Sequence, residues 1–151
     1  MSRMHSSKKG KSGSTRPVRT APPKWIEHSQ KEVEEIIVTL AKKGESPSKI
    51  GIILRDQYGV PLVKYVNKKK LTKILEDKGV KSEIPEDMMN LLRGVVKLDR
   101  HNTENHKDMS GKRGKQLIEA KIRRLANYYK NAGRLPTDWK YNLEKAKLMV
   151  K

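Results

Sequence analysis

Apolar residues in this chain recur every three or four positions in short blocks, and a glycine or proline closes most of them. Val33, Ile36, Ile37 and Leu40 form the first block, stopped by Gly44. Ile50, Ile53, Leu54 and Tyr58 form the second, ended by Gly59. Leu71, Ile74 and Leu75 precede Gly79. Met88, Leu91, Leu92, Val95 and Leu98 make a longer stripe. Leu117, Ile118, Ile122, Leu125 and Tyr129 make another, broken by Gly133 and Pro136. This spacing is the helix period, and glycine just past the last apolar residue is the usual helix stop. Alternation with period two is nearly absent, so the chain is predicted to be all-α.

Start signals agree with the stripes. "SQKE" at 29–32 is a capping box, with Ser29 as N-cap and Glu32 reaching back to it. "SPSK" at 46–49 places Ser46 as a cap and Pro47 at the first helical position. Asn67 is positioned to cap a third helix. Pro85 opens a fourth, with Glu86 and Asp87 where the helix dipole favours acids. The fifth is predicted from about Gly111 to Asn131, and Asp138 is expected to cap a short last helix. The organisation expected is a basic flexible arm over 1–23, a three-helix extension over 24–79, and an antiparallel helical hairpin bundle over 80–151.

Charge then narrows the partner. The chain carries 35 Lys and Arg against 17 acids, a net charge of +18. Residues 1–23 hold six basic residues and no acid, and both later segments are basic in their own right. A charge this large resists compaction unless a polyanion neutralises it. Nucleic acid fits best, because phosphate contacts release counterions. A membrane surface would want a basic helix with large apolar side chains opposite, and the chain has no Phe. No apolar run approaches the ~18 residues of a membrane span, and the N-terminus lacks the apolar stretch of a signal peptide. With no Cys, disulfides and the common structural zinc sites are excluded. The arm's "GKSGS" resembles the end of a phosphate-binding loop, but His5 stands where that motif needs its first glycine. No cofactor is expected.

Residues 100–115, "RHNTENHKDMSGKRGK", bring His101, His106 and Asp108 together with basic residues. If one straight helix carried them, His101 and Asp108 would share a face about 10 Å apart along the axis. That is too far to share a metal ion, and no nucleophile and base are ordered for catalysis. The unassuming reading is a solvated helix end and turn, rich in Asn, Asp and Ser for local capping reasons. The functional reading is a groove reader. A carboxylate beside phosphates is repelled unless it accepts hydrogen bonds, and guanine's exocyclic amine offers one in the minor groove. That groove is wide and accessible in A-form RNA. Lys107, Lys112, Arg113 and Lys115 would then supply phosphate contacts.

"RRLANYYKNAGRLPTDWKY" interleaves Arg123, Arg124, Tyr128, Tyr129, Lys130, Arg134, Trp139, Lys140 and Tyr141. Its aromatics can stack on splayed bases or pack the last helix onto the bundle, and packing is favoured for Trp139. "NKKKLTK" at 67–73 follows a helix and turn, so residues 46–78 could form a helix-turn-helix DNA reader.

At these residues the chain resembles the ribosomal small-subunit protein fifteen family, in its archaeal and eukaryotic form. The similarity runs through the "GKSGS" arm, "SPSKIGIILRDQYGVP", "IPEDMMNLL", "RLANYYK" and "LPTDWKY". It implies antiparallel helices, direct binding to small-subunit ribosomal RNA at a three-way junction, an early role in platform assembly, and a bridge to the large subunit. Neighbouring small-subunit proteins would be partners, the setting would be cytoplasmic, and no enzymatic activity is implied. In the bacterial pattern a histidine, an aspartate seven residues on and a serine three further read the minor groove. The first two fall on His101 and Asp108. The serine falls on Gly111, with Ser110 one place early, so Ser110's part stays open. A tyrosine of the junction-binding helix falls on Tyr128 and an arginine before it on Arg124. The expected RNA-binding set is therefore His101, Asp108, Ser110, Lys107, Lys112, Arg113, Arg123, Arg124, Tyr128, Lys130 and Arg134.

Overall fold

Seven α-helices and no strand are present in a computed structural model that describes residues 21–80 and 83–150. They are α1 (Gln30–Lys42), α2 (Pro47–Gln57), α3 (Val63–Asn67), α4 (Leu71–Asp77), α5 (Glu86–Glu104), α6 (Met109–Asn131) and α7 (Leu143–Met149). The all-α expectation holds. Nearly all of the basic arm lies outside the described residues. Among the described residues no helix is long and apolar enough to cross a membrane.

The predicted caps form at the first two helices. The Ser29 hydroxyl accepts from the Glu32 amide, and the Glu32 carboxylate accepts from the Ser29 amide at 2.9 Å. Ser46 caps α2, with Pro47 opening it. Gly44, Gly59, Gly79 and Gly133 all have positive φ, where a Cβ would strain the backbone.

Two apolar clusters organise these helices. Val33, Ile37, Ile50, Leu54, Val60, Val63, Ile74 and Leu75 form one, built by α1 to α4. Met88, Leu92, Val95, Ile122, Ala126, Tyr129, Leu135 and Ala146 form the other, built by α5, α6 and α7. The long α5 and α6 pack against each other as an antiparallel hairpin, and α7 lies on α5. Two polar contacts join the halves. Ser48 donates from its amide and its hydroxyl to Glu86 at 3.0 and 2.9 Å. Arg134 pairs with Glu76 at 3.1 Å.

Two expectations about the helix inventory need correction. Four helices, not three, fall between residues 24 and 79, because Val63–Asn67 forms a helix of its own. Asn67 is consequently the end of α3 and not the cap of the next helix. It is 2% exposed, and its amide donates to the Gln30 carbonyl at 3.0 Å and to Glu34 at 3.2 Å. Residue 68 takes the left-handed conformation that redirects the chain into α4. The last helix is capped by Asn142, whose side chain accepts from the Glu144 amide at 2.8 Å, and not by Asp138. Trp139 and Tyr141, two residues apart, both pack against the second cluster, which suits extended chain and delays the helix.

Charge also fastens the second bundle. Asp99 on α5 accepts from Lys115 of α6 at 2.5 Å and pairs with Lys147 of α7 at 2.6 Å. Those two ammonium groups, Lys115 first, hold the Asp99 carboxyl below the usual carboxylate range. Burial pushes the Tyr129 hydroxyl up to about 12, helped by the Asp87 carboxylate to which it donates at 2.6 Å. A depressed carboxyl pKa contributes stability above the unfolded value near 3.9, lost as pH falls through the folded value. Asp99→Asn should therefore cost on the order of 1–2 kcal/mol at neutral pH and flatten the acid side of the stability curve. Urea unfolding across the acid range checks both.

Candidate nucleic-acid interface

The His101–Asp108 pair sits at the turn of the hairpin, not on one straight helix. α5 stops at Glu104, and Asn105 turns the chain by donating its amide to the His101 carbonyl at 2.8 Å. The Asn105 side-chain amide reaches the same carbonyl at 3.1 Å. Asp108 is then the N-cap of α6, which begins at Met109 and so two residues before the predicted start. One Asp108 oxygen, Oδ1, accepts from the Gly111 amide at 2.9 Å. The other, Oδ2, lies 2.9 Å from His101 Nε2. The expected separation of about two helical turns is thus replaced by direct contact. The reason is local: Asn105 and Asp108 satisfy the orphaned groups of two helix ends in four residues. The turn and the candidate pair are the same structure.

Hydrogen bonds decide the state of both groups. Asn105 Nδ2 lies 3.3 Å from His101 Nδ1. An amide N–H can only donate, so a neutral His101 carries its proton on Nε2, facing Asp108. The Asp108 carboxyl is held below the usual range, first by the Gly111 amide and next by His101. It remains an anion, and both side chains stay partly exposed, 45% for His101 and 34% for Asp108. Asp108 can therefore accept from an outside donor while already anchored. Contact alone would allow the pair to share an ion, but among the described residues no three His, Cys, Asp or Glu side chains gather for a metal. His106 is exposed in the turn.

Ser110 is exposed in the first turn of α6 and stands near Asp108 through its backbone amide. At Gly111 a Cβ would come 2.5 Å from Asp108 Oδ2 and 2.8 Å from Asn102 Oδ1. Residue 111 is thus a glycine where a side chain would meet both the α6 cap and Asn102 of α5.

The cations divide into free and engaged groups. Lys107, Lys112, Arg113, Arg123 and Arg124 are exposed, and Tyr128 is 63% exposed. At 100° per residue Arg113, Arg124 and Tyr128 fall within about 60° of one another on α6. Arg124 rests its Nε on the Ala120 carbonyl at 3.3 Å, and Tyr128 sits edge-on to Tyr129 at 5.1 Å. Arg123 lies 4.0 Å from Glu119 on its own helix, and Lys130 is half-buried. Lys115 faces inward to Asp99, and Arg134 pairs with Glu76 while staying exposed. Trp139 packs, as its size favoured. Sequence reasoning missed Asn102 and Asn105. The signal was available for Asn105, four residues after His101 at a helix end.

Comparison with known proteins bears on the whole chain. Residues 1–60 match the family described as "Ribosomal S13/S15 N-terminal domain" and residues 67–149 match "Ribosomal protein S15". A protein of Sulfolobus acidocaldarius named "Small ribosomal subunit protein uS15" is 54% identical, covering 94% of this chain and 93% of its own. Its namesake in Staphylothermus marinus is 56% identical, covering 94% of each chain. That of Hyperthermus butylicus is 54% identical, covering 95% of this chain and 89% of its own.

Gly111→Ala is expected to lower global stability by about 1 kcal/mol, since the gain in helix propensity offsets only part of the loss of the anchored Asp108 cap. It should break the cap, so that the amide of residue 111 exchanges faster with solvent. Gly114→Ala is the control, because its nearest neighbour would be Leu98 Cδ1 at 3.9 Å. Equal exchange in both variants would contradict the close packing at 111.

Proposed function

The chain belongs to the ribosomal protein S15 family and is a structural, non-enzymatic constituent of the small ribosomal subunit; on that premise we propose that it binds small-subunit ribosomal RNA directly at a three-way junction. Its place is the cytoplasmic ribosome, as for its archaeal relatives. The observation that carries the RNA reading is the anchored carboxylate at the hairpin turn. Asp108 is an anion with one oxygen committed to its helix and the other shared with His101, set among exposed Lys107, Lys112 and Arg113. Anchoring removes the entropy of finding the right rotamer. The exocyclic amine of guanine or a ribose hydroxyl supplies the missing donor in an RNA minor groove.

The second contact lies along α6. From Asp108 to Tyr128 is about 30 Å at 1.5 Å per residue, long enough to reach a separate arm of a junction. Arg113 and Arg124 face phosphates there, Arg123 and Lys130 flank them, and Tyr128 stacks on an unpaired base or a ribose. Ser110 contributes at the rim of the turn. Arg134 gives one donor to Glu76 and keeps exposed donors for a phosphate. The basic arm over 1–23 would add phosphate contacts, 24–79 would act as the extension and 80–151 as the RNA-binding unit. Platform assembly, contacts with neighbouring proteins and a bridge to the large subunit follow from the same family premise.

A helix-turn-helix DNA reader in residues 46–78 is less well supported. Its reading helix would be α4, only seven residues long, and Lys69 and Lys73 both reach Asp77 at 2.9 and 3.4 Å. Filter binding to structured ribosomal RNA and to duplex DNA at about 0.15 M salt separates the two.

Asp108→Ser keeps an N-cap residue but removes the projecting carboxylate. It should weaken binding to the junction RNA about tenfold or more, the scale of one good base contact, and leave binding to random duplex RNA nearly unchanged. Equal loss on both RNAs would sink the specific role. Arg124→Ala should weaken binding to both RNAs alike and lower the salt slope by about one.

A further inference from the structure

We infer that Asn102 is a positioning residue for Asp108, its side-chain amide nitrogen facing the carboxylate across Gly111 and donating to Oδ2. The inference starts from an unmet acceptor. Asn102 Oδ1 is enclosed and has no hydrogen-bond partner. It is not remote from polar groups, however. The point where a Cβ of residue 111 would stand lies 2.8 Å from Asn102 Oδ1 and 2.5 Å from Asp108 Oδ2. Two acceptor oxygens, one of them anionic, thus both lie within 3 Å of the place a Cβ of residue 111 would take, and Asn102 Oδ1 receives no hydrogen bond.

An enclosed acceptor without a donor has lost its hydration with nothing in return, and a carboxylate nearby adds repulsion. A half-turn about the last side-chain bond exchanges oxygen and nitrogen without changing the amide's shape, so the network assigns the two ends. Turned this way, the amide puts N–H where Oδ1 stands, toward Asp108. Nothing is forfeited, since Asn102 makes no hydrogen bond to a described residue in the other orientation.

The arrangement also accounts for the glycine. Any side chain at 111 would wedge between Asn102 and Asp108, and glycine lets the polar groups of α5 and α6 close over its Cα. Asp108 is then held from three sides: by Gly111 and Ser110 amides on its own helix, by His101 on α5, and by Asn102 one residue along α5. His101 is the titratable side chain facing it, 2.9 Å from Oδ2. The functional weight of Asn102 rests on the RNA reading of Asp108, but its geometry does not.

Nuclear magnetic resonance on the full chain tests the geometry without RNA. In the unmodified protein the Asn102 side-chain amide protons should exchange slowly and shift as Asp108 titrates. Asn102→Leu keeps the volume and removes the donor, so the Asp108 carboxyl pKa should rise by about half a unit or more. Asn102→Asp brings a second carboxylate and should raise it further. An Asn102 amide that ignores the Asp108 titration overturns the inference, and so does an Asp108 titration unchanged in Asn102→Leu. The unmodified protein supplies the first readout even if a variant fails to fold. Junction-RNA affinity is measured separately. If the pKa moves as expected while Asp108→Ser binds RNA normally, the RNA reading of Asp108 fails and the positioning role stands.

Discussion

One carboxylate fastens the hairpin at the point where the protein is expected to meet RNA. Asp108 uses Oδ1 to satisfy a free amide at the start of α6 and Oδ2 to face a histidine near the end of α5. A helix N-terminus needs an acceptor, and a carboxylate there is favoured by the helix dipole as well. The same two features keep it ionised. The residue that closes the turn is thereby also one able to accept a hydrogen bond from outside, which is why the proposed recognition would draw on the same side chain as folding. His101 depends on the arrangement too, because Asn105 fixes the tautomer that faces Asp108.

The surplus of positive charge is handled by location. The acids are drawn into ion pairs and helix starts: Asp99 between Lys115 and Lys147, Asp77 between Lys69 and Lys73, Glu76 with Arg134. The Asp99 and Glu76 pairs lie at seams between helices, where Lys115 is drawn inward, while Lys69 and Lys73 stay exposed beside Asp77. Exposed on α6 are Lys112, Arg113, Lys121, Arg123 and Arg124, with Tyr128 beside Arg124 on one face. The seams are neutralised, the exposed face stays positive, and compaction costs less than the total suggests.

Much of the fold was legible in particular residues. Ser29 with Glu32, and Ser46 with Pro47, announced their helices because capping is a local matter settled within four residues. The stripes of α1, α2, α5 and α6 named most of the buried side chains for the same reason. Asn67 misled, since its type suits a cap, yet partners 33 and 37 positions away in sequence bury it. Asp138 misled because Trp139 and Tyr141 had first to reach the core. In the candidate site the residue types were legible and their spacing was not. His101 and Asp108 were placed two turns apart on the assumption of one helix, and the break at Asn105 set them in contact.

The sequence by itself determined the helical class, the start and stop of its first two helices, the basic character of every segment and the pair of residues at the site. Each of these follows from neighbours a few positions apart or from composition. Only the tertiary structure decided which cations face outward, that Lys115 turns inward to Asp99, and that Asn102 and Asp108 both stand beside Gly111. Those outcomes depend on which helices pack together, and packing brings together residues whose separation along the chain carries no signal of it.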